Sequence, residues 1–135
     1  MIPKAAKQSL FLLRITLGCV FFYAGITKIL NPDWTAAGFL GNAQTFGNFY
    51  DWLASAQNIG WVNFLNEWGL TLIGAGLIFG TLTRLASYFG ILMMVLYYFP
   101  GIDFPYLEHG FLVDDHIIYI FIFSTLAYLQ AGQYW

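Results

Sequence analysis

The chain has 135 residues, of which 59% are hydrophobic and 9% are charged, and its formal net charge at pH 7 is -2. An ordinary soluble domain has roughly a quarter of its residues charged, and a short chain cannot bury so much apolar surface within itself. The composition therefore predicts an integral membrane protein whose surroundings are the lipid bilayer. The small negative charge, without a basic cluster, excludes a nucleic-acid partner.

Four apolar stretches are long enough to span a bilayer, which takes about 17 to 25 residues of helix. They cover residues 9–30, 61–80, 84–100 and 113–131. Helix-ending pairs mark the ends of the first three, namely Asn31-Pro32, Gly80-Thr81 and Pro100-Gly101. Because the backbone must satisfy its own hydrogen bonds in lipid, we expect helices. The sequence predicts an all-α membrane protein, with residues 1–135 forming one four-transmembrane-helix bundle.

The connection between the first two spans, residues 34–58, has its own apolar pattern. Phe46, Phe49, Tyr50 and Leu53 have the spacing of an amphipathic helix. We expect an interfacial or re-entrant helical segment that caps the bundle. An aromatic belt at the lipid headgroups is the alternative, since Trp and Tyr favour that region.

The charges predict an orientation in the membrane. Lys4, Lys7, Arg14 and Arg84 fall on one side, whereas all seven acids and both histidines fall on the other. By the positive-inside rule the basic side is cytoplasmic, which places both termini in the cytoplasm.

Small residues on the first two helices predict a close helix contact. The first helix has a stripe at steps of three and four, made of Arg14, Gly18, Phe21, Gly25 and Lys28. The second has Glu67, Thr71 and Gly74 on one face, and its Gly76 and Gly80 form a GxxxG packing motif. Such glycines let a neighbouring helix or a flat ligand approach closely.

Ionisable groups within the spans are the candidate site, because charges in hydrocarbon are costly. Lys28, Glu67, Asp115 and His116 fall within about 10 Å of a common level, given a rise of 1.5 Å per residue. Glu67 is the strongest candidate, since an acid inside a membrane helix needs a partner. Arg14 lies deeper, and we slightly favour its extension to the cytoplasm over a contact with Glu67.

Each of these groups also has a structural interpretation. Lys28 near a helix C-terminus and two aspartates at an N-terminus suit the helix dipole, and we expect Asp114 to be an N-cap. His116 shares a face with Tyr119, so it either hydrogen-bonds within the fold or faces a ligand. The single cysteine, Cys19, excludes an intrachain disulfide and a thiolate metal cage. We expect Cys19 to be buried in a helix, and no metal site is predicted.

Two segments resemble the DoxX family of small four-helix bacterial and archaeal membrane proteins. They are "LLRITLGCVFFYAGITKILNPDWTAAGFL" and "EWGLTLIGAGLIFGTLTRLASYFGILMMVLYY", residues 12–40 and 67–98. The matching positions are Arg14, Gly18, Phe22, Gly25, Lys28, Glu67, Gly74, Gly80, Thr83 and Arg84. The segments are most similar to the DoxD branch, the membrane subunit of thiosulfate:quinone oxidoreductase.

The resemblance implies a quinone-facing membrane subunit of an oxidoreductase complex in a bacterial or archaeal cytoplasmic membrane. It would bind quinone and work with a partner subunit. Glu67, Asp115 and His116 would then handle protons as catalytic groups, and the ligand-binding candidates would be Lys28, Trp34, Tyr119 and Arg14.

A non-enzymatic role is the alternative, in which the bundle binds lipid or anchors and assembles partner proteins. Because one cysteine leaves no dithiol for sulfur chemistry, we do not expect this chain to oxidise thiosulfate alone. The sequence leaves open whether the protein is an enzyme.

Overall fold

The fold is described from a computed structural model, for residues 3–102, 104, 106, 107 and 110–129. In this part of the chain there are six helices: α1 Lys4–Ile29, α2 Ala37–Gly41, α3 Gly47–Leu53, α4 Ile59–Phe79, α5 Thr83–Tyr98 and α6 Asp115–Tyr128. A small antiparallel pair that the sequence did not predict joins β1 Tyr106–Leu107 to β2 Gly110–Phe111. The all-α prediction is therefore confirmed, and α1, α4, α5 and α6 correspond to the four predicted spans.

Two of these helices, α1 and α4, are long and apolar enough to cross a membrane. The described part of α6 is a shorter apolar helix of 14 residues, and α5 has 16 residues. At 1.5 Å per residue these two rise roughly 21 and 24 Å, against a hydrocarbon core of about 30 Å.

The four long helices surround one apolar core. Helix α1 packs along α4, and α5 packs along α6. The Phe21 ring of α1 packs edge-to-face on the Tyr119 and Phe123 rings of α6, with centroids 5.7 and 5.1 Å apart. The most buried core side chains, Leu77, Phe123 and Leu126, have no exposed surface. The arrangement is a four-helix bundle. Of the helix pairs α1–α4, α4–α5 and α5–α6, the pair α4–α5 makes the least extensive contact.

Glycines let α1 and α4 cross with their backbones in contact. A Cβ added at Gly25 would overlap the Thr71 backbone, and one added at Gly74 would overlap the Phe22 backbone. Arg14, Gly18, Phe21 and Gly25 are all buried, and Lys28 is half-buried. The predicted stripe therefore faces the interior of the bundle, and its glycines Gly18 and Gly25 lie against α4.

Helices α2 and α3 cover one end of the bundle, which we call the capped end. Their side chains form a second apolar cluster with the start of α4, made of Ala36, Leu40, Tyr50, Leu53 and Val62. The Tyr50 hydroxyl donates to the Leu96 carbonyl of α5 at 2.6 Å, and the Thr45 hydroxyl donates to the Ile102 carbonyl at 2.7 Å. Phe46 and Phe49 remain exposed. These contacts favour the cap over the aromatic belt, although the segment forms two short helices and not one.

Two expectations about small residues were wrong. Gly80 was assigned to helix packing, but it ends α4 as its C-cap in the left-handed conformation, with φ of 73°. Gly76 does contact the neighbouring helix, since its Cβ would lie 3.4 Å from Ala86. Cys19 is exposed and not buried. It lies one position beyond Gly18, and successive helical residues point about 100° apart, so it faces away from the α4 contact.

Candidate functional site

A groove of about 840 Å³ runs between α4 and α5. Both helices contribute apolar side chains to its walls, and α3 closes the capped end with Tyr50, Trp52 and Leu53. Trp61 and Trp68 lie along the α4 wall. The groove follows from the loose α4 and α5 contact, and its size suits a ligand with a ring and an apolar tail.

Two polar side chains meet at the capped end of this apolar groove. Asn66 of α4 and Tyr97 of α5 both line it, and the Tyr97 hydroxyl donates to Asn66 Oδ1. The Asn66 amide nitrogen donates to the Val62 carbonyl at 2.8 Å, and Asn66 is 8% exposed. An amide nitrogen carries two N–H groups. Within the described residues the second has no acceptor, so Asn66 can donate to a ligand in the groove.

His116 is on the first turn of α6 and lies next to Tyr97. The two rings pack edge-to-face with centroids 6.3 Å apart. His116 Nδ1 is 2.9 Å from Asp114 Oδ2 and 3.3 Å from Asp115 Oδ1. The Asp115 side chain is 71% exposed, compared with 19% for Asp114. The three residues thus connect the surroundings of Tyr97 to the protein surface.

The N-cap of α6 explains why these three side chains converge. Asp114 Oδ1 accepts hydrogen bonds from the backbone N–H groups of His116 and Ile117, at 2.9 and 3.2 Å. The expected N-cap is therefore confirmed. One ligand atom from each of Asp114, Asp115 and His116 lies within 4.8 Å of the others, but the cap accounts for this geometry and we assign no metal to it.

Lys28, Trp34 and Glu67 lie outside the groove. The Lys28 ammonium donates to the Ala24 carbonyl at 3.3 Å and stands over the Trp34 ring, 5.4 Å from its centroid. Because Gly25 lies against Thr71 in the antiparallel pair, Lys28 and Glu67 are at about the same level. No ion pair joins them in the part of the chain that the structure describes, and Glu67 is half-buried.

Arg14 lies at the opposite end of the bundle from the cap. Its guanidinium Nη1 donates to the Leu77 carbonyl at 2.9 Å, and the side chain is 1% exposed. The expectation that Arg14 extends to water was wrong. Leu77 is in the last turn of α4, where carbonyls lack helical partners and the helix dipole favours a cation, so Arg14 stabilises that helix end.

Tyr119 packs against Phe21 in the core and does not line the groove. The groove instead brings together Asn66 and Tyr97, which the sequence did not indicate as site residues. Asn66 precedes Glu67, and a polar residue beside an acid in an apolar helix was an available signal. Nothing in the sequence distinguished Tyr97 from the other tyrosines.

The bundle, its two membrane-length helices and its apolar surface define a small helical membrane protein. The DoxX family model matches residues 9–100, and the chain belongs to the DoxX family. No curated protein and no solved structure matches the chain.

Proposed function

We propose that this protein is the quinone-binding membrane subunit of an oxidoreductase complex and that the quinone occupies the groove between α4 and α5. The observation that carries the proposal is the combination of an apolar groove with one polar end, where Asn66 and Tyr97 meet. A quinone has this same division, because its carbonyl oxygens accept hydrogen bonds and its tail is apolar.

The electron-transfer part of the proposal rests on the resemblance to the DoxD branch, because the family match does not separate the branches. The chain has one cysteine and hence no dithiol, so redox chemistry needs a cofactor or a partner, and in this proposal the electrons come from a partner subunit. In this proposal α1, α4, α5 and α6 all span the membrane. The capped end faces outward, and both termini are cytoplasmic in a bacterial or archaeal cytoplasmic membrane.

A non-enzymatic bundle that binds lipid or assembles partners is the second candidate. It is favoured by the local contacts of the polar groups predicted from sequence. Lys28 is held by Ala24 and Trp34, and His116 by Asp114. None of these three contacts involves the groove, whose apolar walls also fit a phospholipid tail.

Tryptophan fluorescence distinguishes these candidates, because a quinone ring quenches an indole that it contacts. We expect decylubiquinone to quench the purified protein in nanodiscs saturably. Trp68→Phe removes a groove indole and should reduce the quenched fraction. Trp34→Phe is the matched control outside the groove and should leave that quenching intact.

Competition supplies the decisive comparison. Phospholipid is already in excess in the nanodisc, so saturable quenching means that the groove prefers the quinone. Quenching that rises linearly with quinone, or that is equal in both variants, contradicts quinone binding in the groove and supports the second candidate. Reduction of quinone by thiosulfate, measured with the complex purified from its source, tests the oxidoreductase role.

A further inference from the structure

The hydrogen bonds of Asn66 and Tyr97 fix which bonds each group can still make. The Val62 carbonyl only accepts, so the Asn66 atom that contacts it at 2.8 Å is the amide nitrogen. The Asn66 amide oxygen is therefore the atom that faces Tyr97, and it accepts the single hydrogen of the Tyr97 hydroxyl. The rings of Phe39 and His116 pack edge-to-face on the Tyr97 ring, with centroids 6.4 and 6.3 Å away, and hold that hydroxyl in place.

These two bonds leave one donor and one acceptor for a ligand at the capped end of the groove. The second N–H of Asn66 has no acceptor among the described residues, and no group in that part of the chain donates to the Tyr97 oxygen. The nitrogen and the oxygen of an amide are bonded to the same carbon atom. The free N–H of Asn66 and the oxygen of Tyr97 are thus neighbours on the groove wall, where one ligand oxygen can contact both.

We infer that the groove selects the reduced form of its ligand, a hydroquinone, over the quinone. This inference rests on the proposed function. A quinone oxygen only accepts, so it can bond to the Asn66 N–H but leaves the Tyr97 oxygen unpaired. If the Tyr97 hydroxyl turns toward the quinone, the Asn66 oxygen loses its donor instead. A quinol hydroxyl accepts from Asn66 and donates to Tyr97, so it pairs every group at this end of the groove.

The additional hydrogen bond should make the quinol bind about 2- to 10-fold more tightly than the quinone, the usual contribution of one bond between neutral groups. Because binding and reduction are linked, reduction of the bound quinone becomes more favourable by the same factor. That reduction adds two electrons, which the partner subunit supplies in the proposed function, and two protons from water. Asn66 and Tyr97 are then specificity-determining residues that favour the flow of electrons into the groove.

The test is a competition for the groove, measured with the full chain in nanodiscs as relief of the tryptophan quenching caused by decylubiquinone. The two competitors are 4-decylphenol, whose hydroxyl accepts and donates, and its methyl ether, which only accepts. We expect the phenol to displace decylubiquinone at about 2- to 10-fold lower mole fraction in the lipid. Decylubiquinol, added without oxygen, should exceed decylubiquinone in affinity by a similar factor. Equal affinities in both comparisons, or tighter binding of the ether and the quinone, overturn the inference.

A variant separates hydrogen bonding from the size of the added methyl group. Asn66→Leu frees the Tyr97 hydrogen to donate to either competitor, so the ratio of their affinities should fall to about 1. Glu67→Gln is the matched control, since it is the next residue on α4 and lies outside the groove, and it should keep the wild-type ratio. An unchanged ratio in Asn66→Leu would overturn the role of the polar pair.

Two further readouts keep the outcomes apart. Circular dichroism reports whether Asn66→Leu folds, and if it does not, the wild-type comparisons alone decide. Saturable quenching by decylubiquinone with no preference for the phenol or the quinol overturns this inference alone. Loss of saturable quenching in the wild type overturns the proposed function.

Discussion

The backbone contact between α1 and α4 predicts that Gly74→Ala destabilises the fold strongly. The new methyl carbon would lie 2.6 Å from Phe22 Cα and 2.7 Å from the Gly18 carbonyl oxygen. Ordinary contacts between such atoms are about 3.5 to 4.0 Å, so the helices have to separate by about 1 Å. A gap of that size forfeits a quarter to a half of each dispersion contact along the crossing.

We estimate a cost of about 2 to 3 kcal/mol, within the usual range for overpacking, which is roughly a 30- to 150-fold fall in the folded-to-unfolded ratio. The free energy of unfolding can be measured by titration with SDS in mixed micelles. Gly69→Ala is the matched control on the same helix, because its methyl would meet only the end of the Met93 side chain, with the sulfur at 3.2 Å and the methyl carbon at 3.7 Å. That sulfur belongs to a flexible side chain, and alanine favours a helix by about 1 kcal/mol over glycine. Equal stability of Gly74→Ala and the wild type would refute the reasoning.

Two further predictions concern buried hydroxyl groups. Thr83 Oγ1 and Ser87 Oγ are buried and have no hydrogen-bond partner among the described residues. Thr83→Val and Ser87→Ala should therefore each raise the free energy of unfolding by about 1 kcal/mol. Ser124→Ala, at an exposed hydroxyl bonded to the Ile120 carbonyl, is the control, and a loss of stability in both buried variants would contradict the prediction. Burial raises the pKa of Tyr50 to about 12 from its ordinary 10. Because the folded pKa is the higher one, Tyr50 contributes stability that is complete below pH 10 and is lost between pH 10 and 12. The free energy of unfolding, measured by denaturation at several pH values over this range, should fall less steeply with pH in Tyr50→Phe than in the wild type. Equal slopes in the two proteins would count against this assignment.

The helices and the α1 contact could be predicted because both depend on periodicity. Long apolar runs define the helices, and steps of three and four place Gly18 and Gly25 on one face. The site could not be predicted as well, since its geometry depends on how far two helices separate. Glu67 was chosen from the sequence because of its charge. Successive helical residues point about 100° apart, and it is the neighbouring Asn66 that faces the groove.

The contacts of individual polar side chains also could not be predicted from the sequence. Lys28 lies at the level of Glu67 but forms no ion pair with it among the described residues; its ammonium donates to the Ala24 carbonyl and stands over the Trp34 ring. Those contacts depend on rotamers and on the turn after α1, which a pattern of residue types does not specify. Asp114 was predictable, because capping involves only the two or three residues that follow.

The glycine contact between α1 and α4 also has a consequence for assembly during synthesis. Roughly 45 residues separate Gly25 from Thr71, and a ribosome adds about 5 to 20 residues per second, so α1 precedes its partner by about 2 to 9 s. During that interval lipid, or an insertion factor, has to cover the glycine face of α1. A second copy of α1 could pair there too, so the short delay before α4 arrives limits misassembly between nascent chains.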